Sequence, residues 1–216
     1  NLEHKEIKRF KKILPSYNSK IILKDAKISF NQAKNLKLSG FIKFDQQFKD
    51  FMLRYSGLTD KNFNISGKIS LNDLSLEIPN LNYYKKKNVE ADMDFNINSG
   101  KSNYDIDRLI YSSNKSKIEL DKVRLNKKFE IKDIRNIKVI TFANNIKNND
   151  FKIGKHGTLH NTIYVTGKLL DVQPLLKSLY KTGDKKILSK DFNSEIKVNL
   201  DKTITGTDDD VLNVSM

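Results

Sequence analysis

The chain of 216 residues contains no cysteine, so disulfide bonds and thiolate metal sites are excluded, and either redox compartment is compatible. No apolar run approaches the roughly 20 residues that a membrane-spanning helix needs. Hydrophobic residues make up only 38% of the chain, and the mean hydropathy is -0.58. This low share argues against a compact three-layer core. It favours a single curved sheet with one apolar face and one solvated face.

Arginine is scarce, and lysine supplies most of the net charge of +14. A charge of this size favours anionic partners such as nucleic acid or lipid headgroups. The abundance of Lys, Asn and Ile together has a second interpretation, because an AT-rich coding sequence produces the same triplet whatever the function. The charge therefore leaves functional anion contact and coding bias both open.

Alternation of apolar and polar residues over most of the chain predicts strand after strand. It is cleanest over 62–72, and it continues over 89–97 and 118–125, with slips of one residue near Tyr111 and Val123 that indicate bulges. We predict a mainly β fold, in which a long, curved antiparallel sheet forms an open groove or half-barrel with one or two short helices. The predicted apolar face of the groove comprises Phe63, Ile65, Ile69, Leu71, Leu74, Leu76, Val89, Met93, Phe95, Ile97, Ile118 and Leu120.

Two segments have helical periodicity. Residues 1–14 place apolar side chains among charged ones and stop before Pro15, which predicts an amphipathic N-terminal helix that caps the domain or lies on a membrane surface. The second helix is predicted over 171–182, directly after a strand that begins at Ile163. Asp171 is placed to accept from the free amides of its first turn, and Pro174 fits in that turn because no backbone donor is needed there.

Three strands share a small hydroxyl residue followed by glycine, at Gly40, Gly67 and Gly167. Glycine inside a strand indicates a bend, a bulge or a close backbone approach, and all three suit a sheet that curls. Between two later strands, Asn144–Asp150 is predicted to be a polar loop.

Motifs for catalysis or metal binding are absent. His156 and His160 are four residues apart but lie in a predicted turn, so we expect solvated histidines rather than zinc ligands. Acids such as Asp92 and Asp94 fall on the solvated polar face of one strand, where we expect no general acid–base role, and the acidic run 208–210 lacks the ligand spacing of a calcium loop. We predict no enzyme activity, no cofactor and no metal. The best local nucleic-acid signal is Tyr83–Lys87, but the lysines are otherwise spread over the turns, and we predict no nucleic-acid partner.

The stretch from Ile163 to Leu176 combines a strand with Gly167, Asp171 and Pro174 in the order glycine, hydrophobic, Asp, Pro, hydrophobic. It resembles the corresponding segment of AsmA-like proteins of the YhdP type in Gram-negative bacteria. The strands at 20–30, 36–44, 194–200 and 211–215 are placed as in that family, so the resemblance spans nearly the whole chain. The lysine-rich turns of this chain differ from those of family members whose positive and negative charges are more evenly balanced.

The resemblance implies a section of an envelope protein similar to bridge-like lipid transfer proteins. It implies an apolar β-groove that carries phospholipid acyl chains between the inner and outer membranes. It also implies a periplasmic location and an inner-membrane anchor elsewhere in the full-length protein. Because the sequence starts at Asn1 and stops within a predicted strand, we expect 1–216 to be a single elongated segment of that longer chain.

Two other interpretations remain. The sheet can seal its own apolar face, which would leave a structural or interaction module that binds envelope proteins through an edge or the helix. The third is a basic nucleic-acid-binding domain, whose affinity would fall steeply with salt.

Overall fold

The computed structural model describes residues 22–31, 35–43, 47–59, 62–155, 162–179, 192, 194–206 and 211–215. Four predictions therefore lie wholly or partly outside the described residues. These are the N-terminal helix over 1–14, the histidines at 156 and 160, the end of the second helix over 180–182 and the acidic run 208–210.

Fourteen strands account for most of the described chain. They are β1 (Ile22–Phe30), β2 (Asn35–Lys43), β3 (Lys49–Thr59), β4 (Asn62–Ser70), β5 (Leu76–Ile78), β6 (Tyr83–Lys85), β7 (Asp92–Ser99), β8 (Asn103–Ser113), β9 (Ser116–Asn126), β10 (Ile131–Ala143), β11 (Ile146–Lys155), β12 (Thr162–Asp171), β13 (Glu195–Ile204) and β14 (Val211–Ser215). One α-helix, α1, covers Gln173–Leu179, and a 3-10 helix covers Pro79–Leu81.

Twelve of the strands form one curved sheet in the order β1-β2-β3-β4-β7-β8-β9-β10-β11-β12-β13-β14, and β5 pairs only with β6. Neighbours in the large sheet are antiparallel except β12 and β13, which run parallel because the chain crosses over through α1 between them. The predicted mainly β fold with a long, curved, largely antiparallel sheet is confirmed.

The one-residue slip between Ile106 and Leu109 is a bulge in the sheet. Asn96 pairs with Arg108 and Ile97 with Ile106, which leaves Asp107 of β8 as an extra residue opposite β7. Lys122 of β9 lies opposite Asp107 in unbroken register and has a φ of 51°. The bulge returns the apolar residues on both sides of it to the same face of the sheet.

Residues 71–91, which we call the covering segment, leave the sheet after β4 and return to it at β7. Leu74 and Leu76 alternate as strand residues do, but only Leu76–Ile78 pairs, and this short strand ends where Pro79 begins the 3-10 helix. Leu71, Leu74 and Tyr83 of this segment are buried in one cluster with sheet residues. The main core thus lies between the covering segment and one face of the large sheet.

Candidate functional site

Apolar residues that face each other on neighbouring strands form continuous rows across the sheet. The proximal row is Phe51, Ile69, Met93, Tyr111, Ile118, Val139, Phe151, Gly167, Leu200 and Val214. The middle row is Leu38, Leu53, Gly67, Phe95, Leu109, Leu120, Ile137, Ile153, Val165 and Val198. The distal row is Leu36, Tyr55, Ile65, Ile97, Ile106, Val123 and Ile134.

The proximal and middle rows lie on one face, because side chains two residues apart on a strand point the same way, and the distal row keeps this spacing on β2, β3, β4 and β7. On β8, β9 and β10 the distal-row residue is three positions from the middle-row residue, and it shares the face because it pairs with the distal-row residue of the neighbouring strand. At about 4.8 Å per strand, ten strands extend a row over roughly 45 Å, which exceeds the ~30 Å hydrocarbon thickness of a bilayer. The sheet therefore carries a continuous apolar surface that runs across its strands.

The structure divides the twelve predicted groove residues between two places. Phe63, Ile65, Ile69, Met93, Phe95, Ile97, Ile118 and Leu120 lie on the apolar face of the sheet. Leu71, Leu74, Leu76 and Val89 lie in the covering segment instead. Of the eight on the sheet, Phe95 and Ile118 are buried and the other six are half-buried.

The covering segment packs against the proximal row. Leu74, Leu76 and Tyr83 join Tyr111, Val139, Phe151 and Leu200 in one buried cluster. The Tyr83 and Tyr111 hydroxyls are 2.8 Å apart and hydrogen bonded, and their rings meet edge to face at 6.0 Å. Burial, with the Tyr83 hydrogen bond, raises the pKa of Tyr111 well above its ordinary value. The proximal row is thus closed by the protein's own side chains, whereas the middle-row residues Leu109, Leu120 and Ile137 stay half-buried.

A buried polar network holds the covering segment in place. The Asn149 side-chain amide donates to the Leu81 carbonyl at 2.8 Å, and that of Asn148 donates to the Leu81 and Asn82 carbonyls, both at 3.1 Å. Asn82 in turn donates to the Asp171 carboxylate at 2.8 Å. Because the buried Asn148, Asn149 and Asp171 side chains each have a partner, the network fixes the segment rather than destabilising it.

Asp171 also caps α1. Its other carboxylate oxygen accepts from the Gln173 amide at 3.1 Å, and its own amide donates to the Asn149 side-chain oxygen at 3.0 Å. The predicted capping role is realised with the helix starting at Gln173, so that Pro174 lies in the first turn. The Asp171–Pro174 pair therefore joins the helix, the covering segment and β12.

Lys85 is a buried cation within the covering segment, with 2% of its surface exposed. Its ammonium donates to the carbonyls of Asn72, Lys86 and Val89 at 3.0 to 3.2 Å. Burial lowers the pKa of Lys85 to about 8, and the nearby Asp73 charge partly opposes that shift. Lys85 thus links Asn72 and Val89, which lie near the two ends of the covering segment.

Two of the strand glycines mark close approach of neighbouring strands. A side-chain carbon at Gly167 would lie 2.5 Å from the Phe151 Cα and would collide with the Asp150 carbonyl. One at Gly67 would collide with the Met52 carbonyl and lie 2.7 Å from the Leu53 side chain. Both glycines lie in the apolar rows, where they let adjacent strands bend towards each other, and this agrees with the prediction from the sequence.

The opposite face of the sheet is polar. Arg124 pairs with Asp105 at 2.6 Å, and Arg108 with Asp94 at 3.7 Å. Both pairs are substantially exposed, so each contributes little to stability. In the part of the chain that the structure describes, no group of three or more His, Asp or Glu side chains is arranged to hold a metal ion.

No helix among the described residues combines the length and apolarity that crossing a membrane requires. Comparison of the chain with protein-family models, curated proteins and solved structures finds no match.

Sequence reasoning missed part of the candidate site. Four core residues show the same alternation as the predicted ones, but the sequence prediction does not place them on the apolar face. They are Tyr111, Val139, Phe151 and Leu200. Asn148 and Asn149 belong to β11 and are buried, so the predicted polar loop over Asn144–Asp150 is wrong beyond the turn at 144–145. Their hydrogen bonds to Thr141 lie within the same hairpin, but their Leu81 and Asn82 partners are more than sixty residues away, and no local signal identifies those.

Proposed function

We propose that the chain provides an apolar β-groove section that shelters phospholipid acyl chains for movement between the inner and outer membranes of a Gram-negative envelope. The protein is passive in this role and catalyses no reaction. The location is periplasmic, with an inner-membrane anchor in the full-length protein. The observation that carries the proposal is the set of three apolar rows that run across the strands on one face of an open sheet.

Partial coverage of that face supports a binding role. The covering segment packs on the proximal row, whereas half-buried residues continue along the middle row. Extended apolar surface that a soluble domain leaves accessible is commonly a binding site. An acyl chain gains roughly 0.8 kcal/mol for each buried methylene, so even a partly exposed row provides substantial affinity. The resemblance of 163–176 to AsmA-like proteins supports the choice of phospholipid as the ligand.

The second candidate is a structural or interaction module of the envelope. It is favoured by the burial of Ile106, Val123 and Ile134, which makes the part of the distal row on β8, β9 and β10 inaccessible. This interpretation predicts no phospholipid on the sheet face. Nucleic-acid binding is a third proposal with less support, because acids pair with the arginines on the polar face.

Site-specific photo-crosslinking separates these functions. A photoreactive residue at Ile65 or Phe95 is expected to capture labelled phospholipid, and one at Ser66 or Asn96 is not, because those neighbours point to the polar face. Capture at Ser66 and Asn96 with silence at Ile65 and Phe95 would contradict the proposal.

Phe95→Asp tests passage along the groove. A carboxylate in the middle row is expected to abolish phospholipid transfer between donor and acceptor vesicles, because burying an unpaired charge beside acyl chains is costly. Asn96→Asp introduces the same charge on the other face and should leave transfer unchanged. Equal loss in both variants would point to a general charge effect rather than to the groove.

A further inference from the structure

Beyond the distal row, the apolar face ends in a lip of aromatic and small residues. One further row of cross-strand partners runs over β4, β7, β8 and β9, and it consists of Phe63, Ser99, Tyr104 and Leu125. We call this row, with the turn 127–130, the distal lip. It lies at the strand ends opposite the covering segment, since β7 and β9 both leave that segment's side and finish here.

The turn between β9 and β10 holds an aromatic ring in an unusual backbone conformation. Phe129 has a φ of 62°, and 53% of its surface is exposed. Most other described non-glycine residues with positive φ are asparagines, which tolerate it better, and Phe129 is the only aromatic among them. Asn126 braces the turn by accepting from the Lys128 and Glu130 amides at 2.9 and 3.0 Å. Strain of this kind clusters at functional sites, which makes Phe129 a candidate for contact with a partner.

A lysine joins this ring system. The Tyr104 and Phe129 rings are stacked at 5.1 Å with 5° between their planes. The Lys127 ammonium lies 3.9 Å from the centre of the Tyr104 ring and donates to the Ser99 hydroxyl at 2.9 Å. Lys101 and Lys128 are exposed close by in sequence, so the lip presents positive charge beside exposed aromatic surface.

We propose that Tyr104, Lys127 and Phe129 form a contact site for the surface of an anionic phospholipid bilayer. This inference rests on the proposed function, since it supplies the place where headgroups meet the groove. Aromatic rings favour the boundary between headgroups and acyl chains, and lysine ammonium groups are attracted to anionic headgroups. Charge complementarity with a chain of net charge +14 favours an anionic surface over a neutral one.

The absence of tryptophan from the chain makes a clean test possible. In F129W the new indole is the only one present, and its emission is expected to shift to shorter wavelength with vesicles of phosphatidylglycerol and phosphatidylcholine. Y84W is the matched control, because Tyr84 is 54% exposed but lies in the covering segment. It should show no shift, and pure phosphatidylcholine vesicles should shift F129W less.

Two further variants test the roles of strain and charge. F129N installs the residue that this chain uses at other positive-φ positions, so its unfolding midpoint should be no lower than that of the wild type while vesicle binding is lost. K127Q should lower the vesicle partition coefficient about fivefold, as expected for one lysine at an anionic surface. Unchanged binding in both variants would overturn the inference.

The result separates this inference from the proposed function. Capture of phospholipid at Phe95 with no F129W shift would reject the distal lip and keep the groove. A shift in F129W with no capture at Phe95 would keep the membrane contact and reject the groove. Equal shifts in F129W and Y84W, or a shift in F129W only with a single-stranded oligonucleotide, would overturn the membrane contact.

Discussion

Protonation of Lys85 is coupled to folding, since its pKa is about 8 in the folded protein and 10.5 when unperturbed. Below pH 8 the lysine is charged in both states, and the folded state carries the cost of burying it. Between pH 8 and 10.5 the folded state releases its proton first, so the free energy of unfolding should rise with pH, by about 3 kcal/mol in all. Urea unfolding followed by circular dichroism from pH 7 to 10 measures this slope.

Lys85→Met should flatten that slope between pH 8 and 10, whatever its effect on absolute stability. Lys86→Met, which alters the exposed neighbour, should keep the slope. Above about pH 10 the raised pKa of Tyr111 acts in the opposite sense, because the unfolded state then ionises first and stability falls. A slope that persists in Lys85→Met would show that another group titrates.

Gly167 should tolerate no side chain. Gly167→Ala places a methyl group against the Phe151 backbone, and overpacking of this kind typically costs 1–3 kcal/mol. Gly100→Ala is the matched control, because the nearest atom to its added carbon is 3.9 Å away. Thermal unfolding of both variants checks the difference, and equal midpoints would mean that β11 and β12 can separate without cost.

Such residues differ in how far sequence predicts them. Gly67 and Gly167 interrupt clear alternation, and that interruption is a local signal of close approach. Asn148 and Asn149 carry no such signal, because a buried asparagine is defined by partners that only the folded chain brings near. Lys85 is equally hidden among the other lysines, and its burial depends on carbonyls from both ends of the covering segment.

At the scale of elements, Asp171 couples α1 to the covering segment. Asp171→Ala removes the carboxylate that accepts from the Asn82 amide and caps the Gln173 amide, and loss of such a cap typically costs about 1 kcal/mol. Hydrogen exchange should accelerate over 81–85 and 173–179. Exchange in β8 and β9 should stay unchanged, because their ladder lies away from Asp171.

Asn82→Ala removes the same contact from the other side. If Asp171 acts through Asn82, the double variant should cost less than the sum of the two single ones. Additive costs would instead assign the effect of Asp171 to capping of α1 alone.

Element types were largely predictable, and their partners were not. The strand–helix–strand order around Asp171 follows from the change of period, and it leads to the parallel pairing of β12 and β13. The covering segment was predicted to continue the sheet, because Leu74 and Leu76 alternate like strand residues. Alternation identifies an apolar face but does not say whether that face belongs to the large sheet or packs against it.

At the scale of the whole molecule, the rows depend on register rather than on any single strand. Each bulge shifts the alternation by one residue, so the face of Leu109 or Val123 follows only from its cross-strand partner. The sequence therefore predicts an amphipathic sheet, whereas the length and continuity of the rows emerge from twelve strands in register.

A bound phospholipid should stabilise the whole sheet, because it occupies the apolar rows only in the folded state. A short-chain phosphatidylcholine below its micelle concentration, at 100 times its Kd, should raise the free energy of unfolding by about 2.7 kcal/mol. Leu120→Asn places a polar amide in the middle row and should remove most of this gain. Asp121→Asn makes the adjacent change on the polar face and should retain it. Equal stabilisation of both variants would place the lipid elsewhere, and no stabilisation of the wild type would favour a self-sealed interaction module.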